Sequence, residues 1–363
     1  MTSTRSLPTR YGLNLAPHTF PHPTAGSLLG THRLATHLFL PLFWLSLTCP
    51  SACGVEKLTE GTTILFATPE RGREILCRRD DYVERLSPFD RSARLKTAEP
   101  VSEEAYLAYV GMQLLPWNAS EREKVLAVIR ELNDPLDALR LPLPVQLVMI
   151  KTTGREEGGA AYTRANAIVL TESHLRREPD DLKRLICHEL FHVMSRADPS
   201  VRDGLYAAIG FRRCGEPPLP AALRQRQITN PDAPVNDHCI DVVIDGTRRT
   251  VVPVLVSESE RYDPARGGEF FEYLRLRFLA VEEDTAAGTS EPLQLRGQLL
   301  LVPVTELRGF FEQVGRNTGY IIHPEEILAD NFAHLMMNTP NLESPQIVSR
   351  MRSLFAELRL LGG

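Results

Sequence analysis

Apolar residues at positions 182, 185, 186, 190, 193 and 194 recur every three to four places behind Pro179-Asp180-Asp181. That spacing predicts an amphipathic helix with an acidic first turn and one buried face. A second set at 327, 328, 332, 335 and 336 follows Pro324-Glu325-Glu326 and predicts another buried helix beginning at about Pro324. Shorter helical patterns cover 102–114, 120–132, 204–211, 306–314 and a final stretch from about Pro345, the second opened by a capping box at Ser120 and Glu123. β-type runs cover 145–151, and 158–163 with 167–171 flanks the polar turn Arg164-Ala165-Asn166, which predicts a hairpin or paired edge. Strands near 240–244 and 250–256 join across Asp245-Gly246, a strong hairpin signal, and 270–281 and 293–304 extend the β content. Residues 61–97 read as short strands and loops. The expected fold class is α+β, with a sheet backing the helix at 179–194.

The first 33 residues are rich in Thr, Ser, Pro, His and Arg, and an apolar run follows at 38–47. Ten apolar residues are too few to span a bilayer but suit the core of a signal peptide. Ser51-Ala52-Cys53 after that run resembles a bacterial lipoprotein cleavage box, which implies export to the cell envelope or beyond and membrane attachment through a lipidated Cys53. The remaining chain is long enough, with 43% hydrophobic residues over 363 in total, for one or two cores. The expected organisation is a leader at 1–53, an N-terminal α+β subdomain at 54–200, and a C-terminal subdomain at 201–363 with a β-rich insert. A net charge of −5 and the lack of a long Lys/Arg cluster argue against a nucleic-acid partner. Without Cys49 and Cys53 four cysteines remain, of which Cys214 and Cys239 are the expected disulfide pair, with free thiols the equal alternative.

Candidate chemistry sits inside the first predicted helix, as His188-Glu189-Leu190-Phe191-His192. Two histidines four residues apart share one helix face, while Glu189 projects about 100° round the axis. This supplies two metal ligands and a general base for a metal-bound water. Two ordinary core histidines would be the plain alternative. A hydrolytic zinc site needs a third ligand, and Glu326 is the expected one, with Asp330 one turn on to hold a histidine, His188 being the expected partner. Asp198 competes, because His188-Glu189-x-x-His192-x-x-Ser195-x-x-Asp198 has a local ligand spacing; Glu325 is the other candidate. Asp198-Pro199 also reads as an ordinary helix stop.

HExxH followed at a distance by Glu-x-x-x-Asp on a second helix resembles the gluzincin branch of zinc metallopeptidases, which includes thermolysin-like enzymes. The resemblance implies a zincin-like fold, one catalytic Zn²⁺ held by His188, His192 and Glu326, and Asp330 orienting the first histidine. It implies Glu189 as general base in hydrolysis of a peptide or protein substrate, and an edge strand that pairs with extended substrate. On that expectation Ala160, Ala161 and Tyr162 bind substrate, and Tyr320 and His323 are candidates to stabilise an oxyanion, with helix capping the competing role for His323. A zinc-binding pseudoenzyme or binding lipoprotein, and a zinc hydrolase acting on another amide, are the alternatives.

Overall fold

Strand β4 (Gln146–Thr152) is buried at every position after its first, and its successive side chains enter two different cores. Leu147 and Met149 face one, Val148 and Ile150 the other, as the two-residue period of a strand requires. The computed structural model describes residues 56–361; the leader, the apolar run 38–47 and Cys53 lie outside them. Among the described residues no helix is long and apolar enough to cross a membrane.

The sheet around β4 contains β1 (Glu56–Thr59), β2 (Thr62–Phe66), β3 (Leu114–Leu115), β5 (Tyr162–Arg164) and β6 (Ala167–Thr171). Its order is β1-β2-β4-β6-β5, with β3 pairing the far end of β4. The three middle strands are parallel, and β1 and β5 are antiparallel edges. Helix Ala119–Leu139 and the motif helix Pro179–Ala197 contribute to the core on one face of β4. Three short helices on the other face, Pro69–Leu76, Asp81–Arg85 and Glu103–Gly111, bury Ile75, Leu76, Tyr82, Val83, Tyr106 and Val110.

Local capping explains where the observed elements depart from the expected ones. Residues 69–94 are three helices rather than strands and loops, because Thr68, Asp80 and Ser87 each cap a following helix and Pro69 and Pro88 stand in its first turn. The helix expected from Ser120 starts one residue earlier: Asn118 is its cap and Glu121 completes the box in place of Ser120 and Glu123. The helix expected at 204–211 runs Pro199–Ala208, capped by Asp198, and leaves Phe211 free to begin a strand.

The second sheet is an antiparallel array of β7 (Phe211–Arg213), β8 (His238–Ile244), β9 (Thr247–Ser257), β10 (Leu274–Asp284) and β11 (Thr289–Pro292), in the order β11-β10-β9-β8-β7. Asp245 and Gly246 turn β8 into β9 with φ of 47° and 79°, the positive values a tight hairpin demands. Expected β structure at 293–304 reduces to short pieces, of which Leu301–Val302 pairs with β10. Cys214 and Cys239 sit in this sheet's outer core as free thiols.

The ligand helix Pro324–Met336 packs on the motif helix, with the Phe191 and Phe332 rings 5.9 Å apart, and the last helix, Pro345–Leu361, packs behind it through Phe355. The same large core that holds Leu190 and Phe332 takes Ile240, Val251 and Phe278 from the second sheet. That shared core fixes the two helices against each other and against the β-rich insert.

Candidate metal centre

Two helix faces meet at the centre. From the motif helix, His188 and His192 lie with ring centroids 4.8 Å apart. From the ligand helix, Glu326 brings Oε2 to 3.1 Å from His188 Nε2 and 3.6 Å from His192 Nε2. These three residues can converge on one ion, since their ligand atoms all lie within 4.8 Å of one another.

The far nitrogens of both imidazoles are held by carboxylates. Asp330 Oδ1 is 3.0 Å from His188 Nδ1, and Glu325 Oε1 is 3.0 Å from His192 Nδ1. A carboxylate can only accept, so each Nδ1 carries a proton, and with an ion bound each ring would be neutral and turn its Nε2 lone pair toward the centre. Thr318 in turn donates to Asp330, and Tyr206 donates to Glu325 at 2.5 Å, with Ser195 beside it. Adjacent helical residues diverge by about 100°. Glu325 therefore reaches behind His192 while Glu326 faces the centre, which is why both acids after Pro324 have work and only one is in ligand position.

Two buried atoms here lack any hydrogen-bond partner, His192 Nε2 and Glu189 Oε2. Unpaired buried polar atoms are costly, and a metal and its water would satisfy both. The charge balance points the same way. Glu189, Asp232, Glu325, Glu326 and Asp330 gather round two imidazoles, with Arg177 and Arg196 the cations that act on Glu189 and Asp232. In the metal-free chain burial opposes charge on His188, but hydrogen bonds to Asp330 and Glu326 outweigh it and hold the ring up at about 10. Burial, with the charge of Asp232 added, pushes Glu189 up to about 8. The donor set of two imidazoles and a carboxylate, in a pocket with this surplus of acid, fits a divalent cation.

Several expected residues fall elsewhere. Asp198 caps helix Pro199–Ala208, accepting from Ser200 N at 3.0 Å and Val201 N at 3.2 Å, so its carboxylate is spent on the helix stop. His323 caps the ligand helix: its Nδ1 accepts from Glu325 N at 3.1 Å and its ring lies 6.1 Å from that of Tyr206, on the Glu325 side of His192. That cap engages Nδ1 alone, so helix capping, the competing role, is the one the structure shows. Burial also drives its pKa down to about 4. Tyr320 does border the centre, with its ring 6.2 Å from His188, and burial followed by the charge of Glu326 holds the phenol well above its usual range. The edge strand begins later than expected, at Tyr162; Ala160 and Ala161 precede it, and the Tyr162 side chain is turned into the core, its hydroxyl 3.2 Å from Glu156. Alternation along the strand puts Thr163 on the other face.

Two contributors were invisible in the sequence pattern, and a third was expected in another role. Asn230 donates from Nδ2 to Glu326 Oε1 at 2.6 Å. Asp232 forms a second close group with Glu189 and His192, ligand atoms again within 4.8 Å, and accepts on Oδ1 from Thr163 N and Oγ1, both at 2.6 Å. Glu325 was weighed only as a ligand. The sole sequence signal near the first two is Thr229-Asn230-Pro231-Asp232-Ala233-Pro234, which reads as a turn and says nothing of what it touches.

Comparison of the chain with models of known families, with curated proteins and with solved structures found no match.

Proposed function

We propose that this chain is a zinc-dependent peptidase of gluzincin type, with His188, His192 and Glu326 as ligands. The observation that carries the reading is the meeting of an HExxH face with a distant Glu/Asp pair, each imidazole backed by its own carboxylate. The mixed sheet with an antiparallel edge beside the motif helix is consistent with a zincin-like arrangement.

Zinc bound there would polarise the scissile carbonyl and bring the pKa of its water down to about 7. Glu189 then takes the water proton on its unpartnered Oε2 and returns it to the leaving amine. Asp330 and Glu325 hold the imidazoles in the Nδ1–H tautomer. Tyr320, kept neutral, has a hydroxyl to donate to the developing oxyanion. The outward amide of Thr163, which here donates to Asp232, is the edge group an extended substrate would pair with once that bond is released.

Non-catalytic metal binding is the second reading, and one observation favours it: Asp232 lies in a second close group with Glu189 and His192 beside the triad, from which its carboxylate could move onto the ion as a fourth protein ligand, as in structural sites. Such a site has no use for Glu189, whose buried oxygen is left without a partner. The test is bound zinc and peptide-library cleavage for the wild type beside Glu326→Ala, Asp198→Ala and Glu189→Gln. Zinc should be lost in the Glu326 variant alone, and cleavage in the Glu326 and Glu189 variants, the latter by about 10²–10⁴-fold. Zinc lost in the Asp198 variant and kept in the Glu326 variant would overturn the ligand set. Export and attachment through Cys53 rest on the sequence of the leader, and the mass of the mature chain tests them.

A further inference from the structure

Between Ile228 and Asp237 the chain has no regular secondary structure, yet it crosses the metal centre and is held there by side chains. At its start, Thr229 donates from N and Oγ1 to the buried Asp90 at 3.1 and 2.9 Å. Asn230 then ties the segment to Glu326, and its Oδ1 accepts from Asp232 N at 3.0 Å. Arg196 donates to the Asp232 carbonyl at 3.1 Å. We propose that residues 229–236 are a built-in strap whose Asp232 carboxylate takes the fourth position on the metal and whose body covers the free edge of β5, so that the resting chain is latent. The proposal rests on the zinc reading above.

Three observations support it. Asp232 forms a group with Glu189 and with His192, which it shares with the ligand triad, their ligand atoms within 4.8 Å of one another, in the region where the general base must meet the attacking water. Two carboxylates so near each other repel unless a proton or a cation stands between them, and a bound ion would serve both. Both described hydrogen bonds to its side chain fall on Oδ1, which leaves Oδ2 for the ion. The donor to that Oδ1 is the Thr163 amide, the edge group that an extended substrate would use, so the carboxylate stands in for a substrate carbonyl.

The strap is also built to leave. Pro231 and Pro234 have no amide to give to a ladder, so β5 is covered without a strand being added to it. Beside the strap lies a cavity of about 340 Å³, lined by Pro231, Val235, Tyr206, His238 and His323, into which it has room to move. Opening exchanges a carboxylate for water at the metal and frees the Thr163 amide in the same step.

The experiment loads the full chain with Co²⁺ and titrates acetohydroxamate, a small chelator that needs the open position, following the visible spectrum. Wild type, Asp232→Ala and Asp232→Asn are compared; the Asn variant keeps an acceptor for Thr163 and loses the anionic ligand, so it serves if the Ala variant folds poorly. The apparent dissociation constant should be at least about tenfold weaker in wild type, because only the open fraction binds. Equal affinities in all three, with cobalt bound, would overturn the strap and leave the metal reading standing. Failure of the wild type to bind cobalt would overturn both.

Discussion

The metal centre and the cluster around Arg94 are both buried and both charged, yet they solve burial in opposite ways. Arg94 is fully buried, and every guanidinium nitrogen finds an acceptor: Nε meets Glu157 at 3.0 Å, Nη1 meets Asp90 at 2.7 Å, and Nη2 meets Glu157 at 2.9 Å. Tyr82 donates to the same Glu157. At the metal centre the hydrogen bonds are just as numerous on the outer side of each imidazole, while the inner side leaves His192 Nε2 and Glu189 Oε2 without partners. A closed ion network stabilises a fold, and a network closed on the outside and deficient within is the form of a site that takes a ligand. Glu156 makes a third case: its Oε2 is also unpartnered, and burial moves its pKa up to about 7, so a proton answers there what a metal would answer at the centre.

Removing one member from each cluster should separate them. The largest effect is expected from Glu326→Ala, which should abolish stoichiometric zinc binding by metal analysis while leaving urea unfolding of the metal-free chain cooperative. Arg94→Ala should do the reverse. It strands Asp90 and Glu157 in the core and should cost about 3–5 kcal/mol in urea unfolding, and it loosens the strap by disturbing the Asp90 anchor of Thr229.

Glu156 sharpens the comparison through pH. With a folded pKa of about 7 against 4.5 in the ordinary range, the native chain keeps its proton where the unfolded chain has lost it. Stability should therefore fall as pH rises from 4.5 to about 7, by on the order of 3 kcal/mol, and then level off. In Glu156→Gln that contribution to the slope should vanish; an unchanged profile would show that the carboxyl ionises freely. The smallest effect is expected outside the ligand shell. Asp330→Ala should weaken zinc binding by about 10–100-fold in a chelator competition, short of the loss in Glu326→Ala.

How much of this was legible depended on whether the signal was local. The motif helix and the ligand helix each carry a 3.6-residue apolar period and a proline at the start, so their existence, and the shared face of Glu326 and Asp330, follow from spacing alone. The Asp245-Gly246 hairpin was readable for the same reason. The task of Glu325 behind His192 was not, because it depends on how the ligand helix is rotated against the motif helix. Capping was legible too: Asp198 and His323 each offer a helix-end role in the sequence beside a chemical one, and both serve helix ends in the structure. Asn230 and Asp232 had no periodic signal at all. They reach the centre only because the second sheet holds its connecting segment over β5, a contact of tertiary origin.

The most direct test of the central claim is a crystal of the zinc-loaded chain measured on both sides of the zinc absorption edge. One anomalous peak is expected about 2.0–2.2 Å from His188 Nε2, His192 Nε2 and a Glu326 oxygen. A peak bound elsewhere, or none at this triad in a chain that binds zinc in solution, would contradict it.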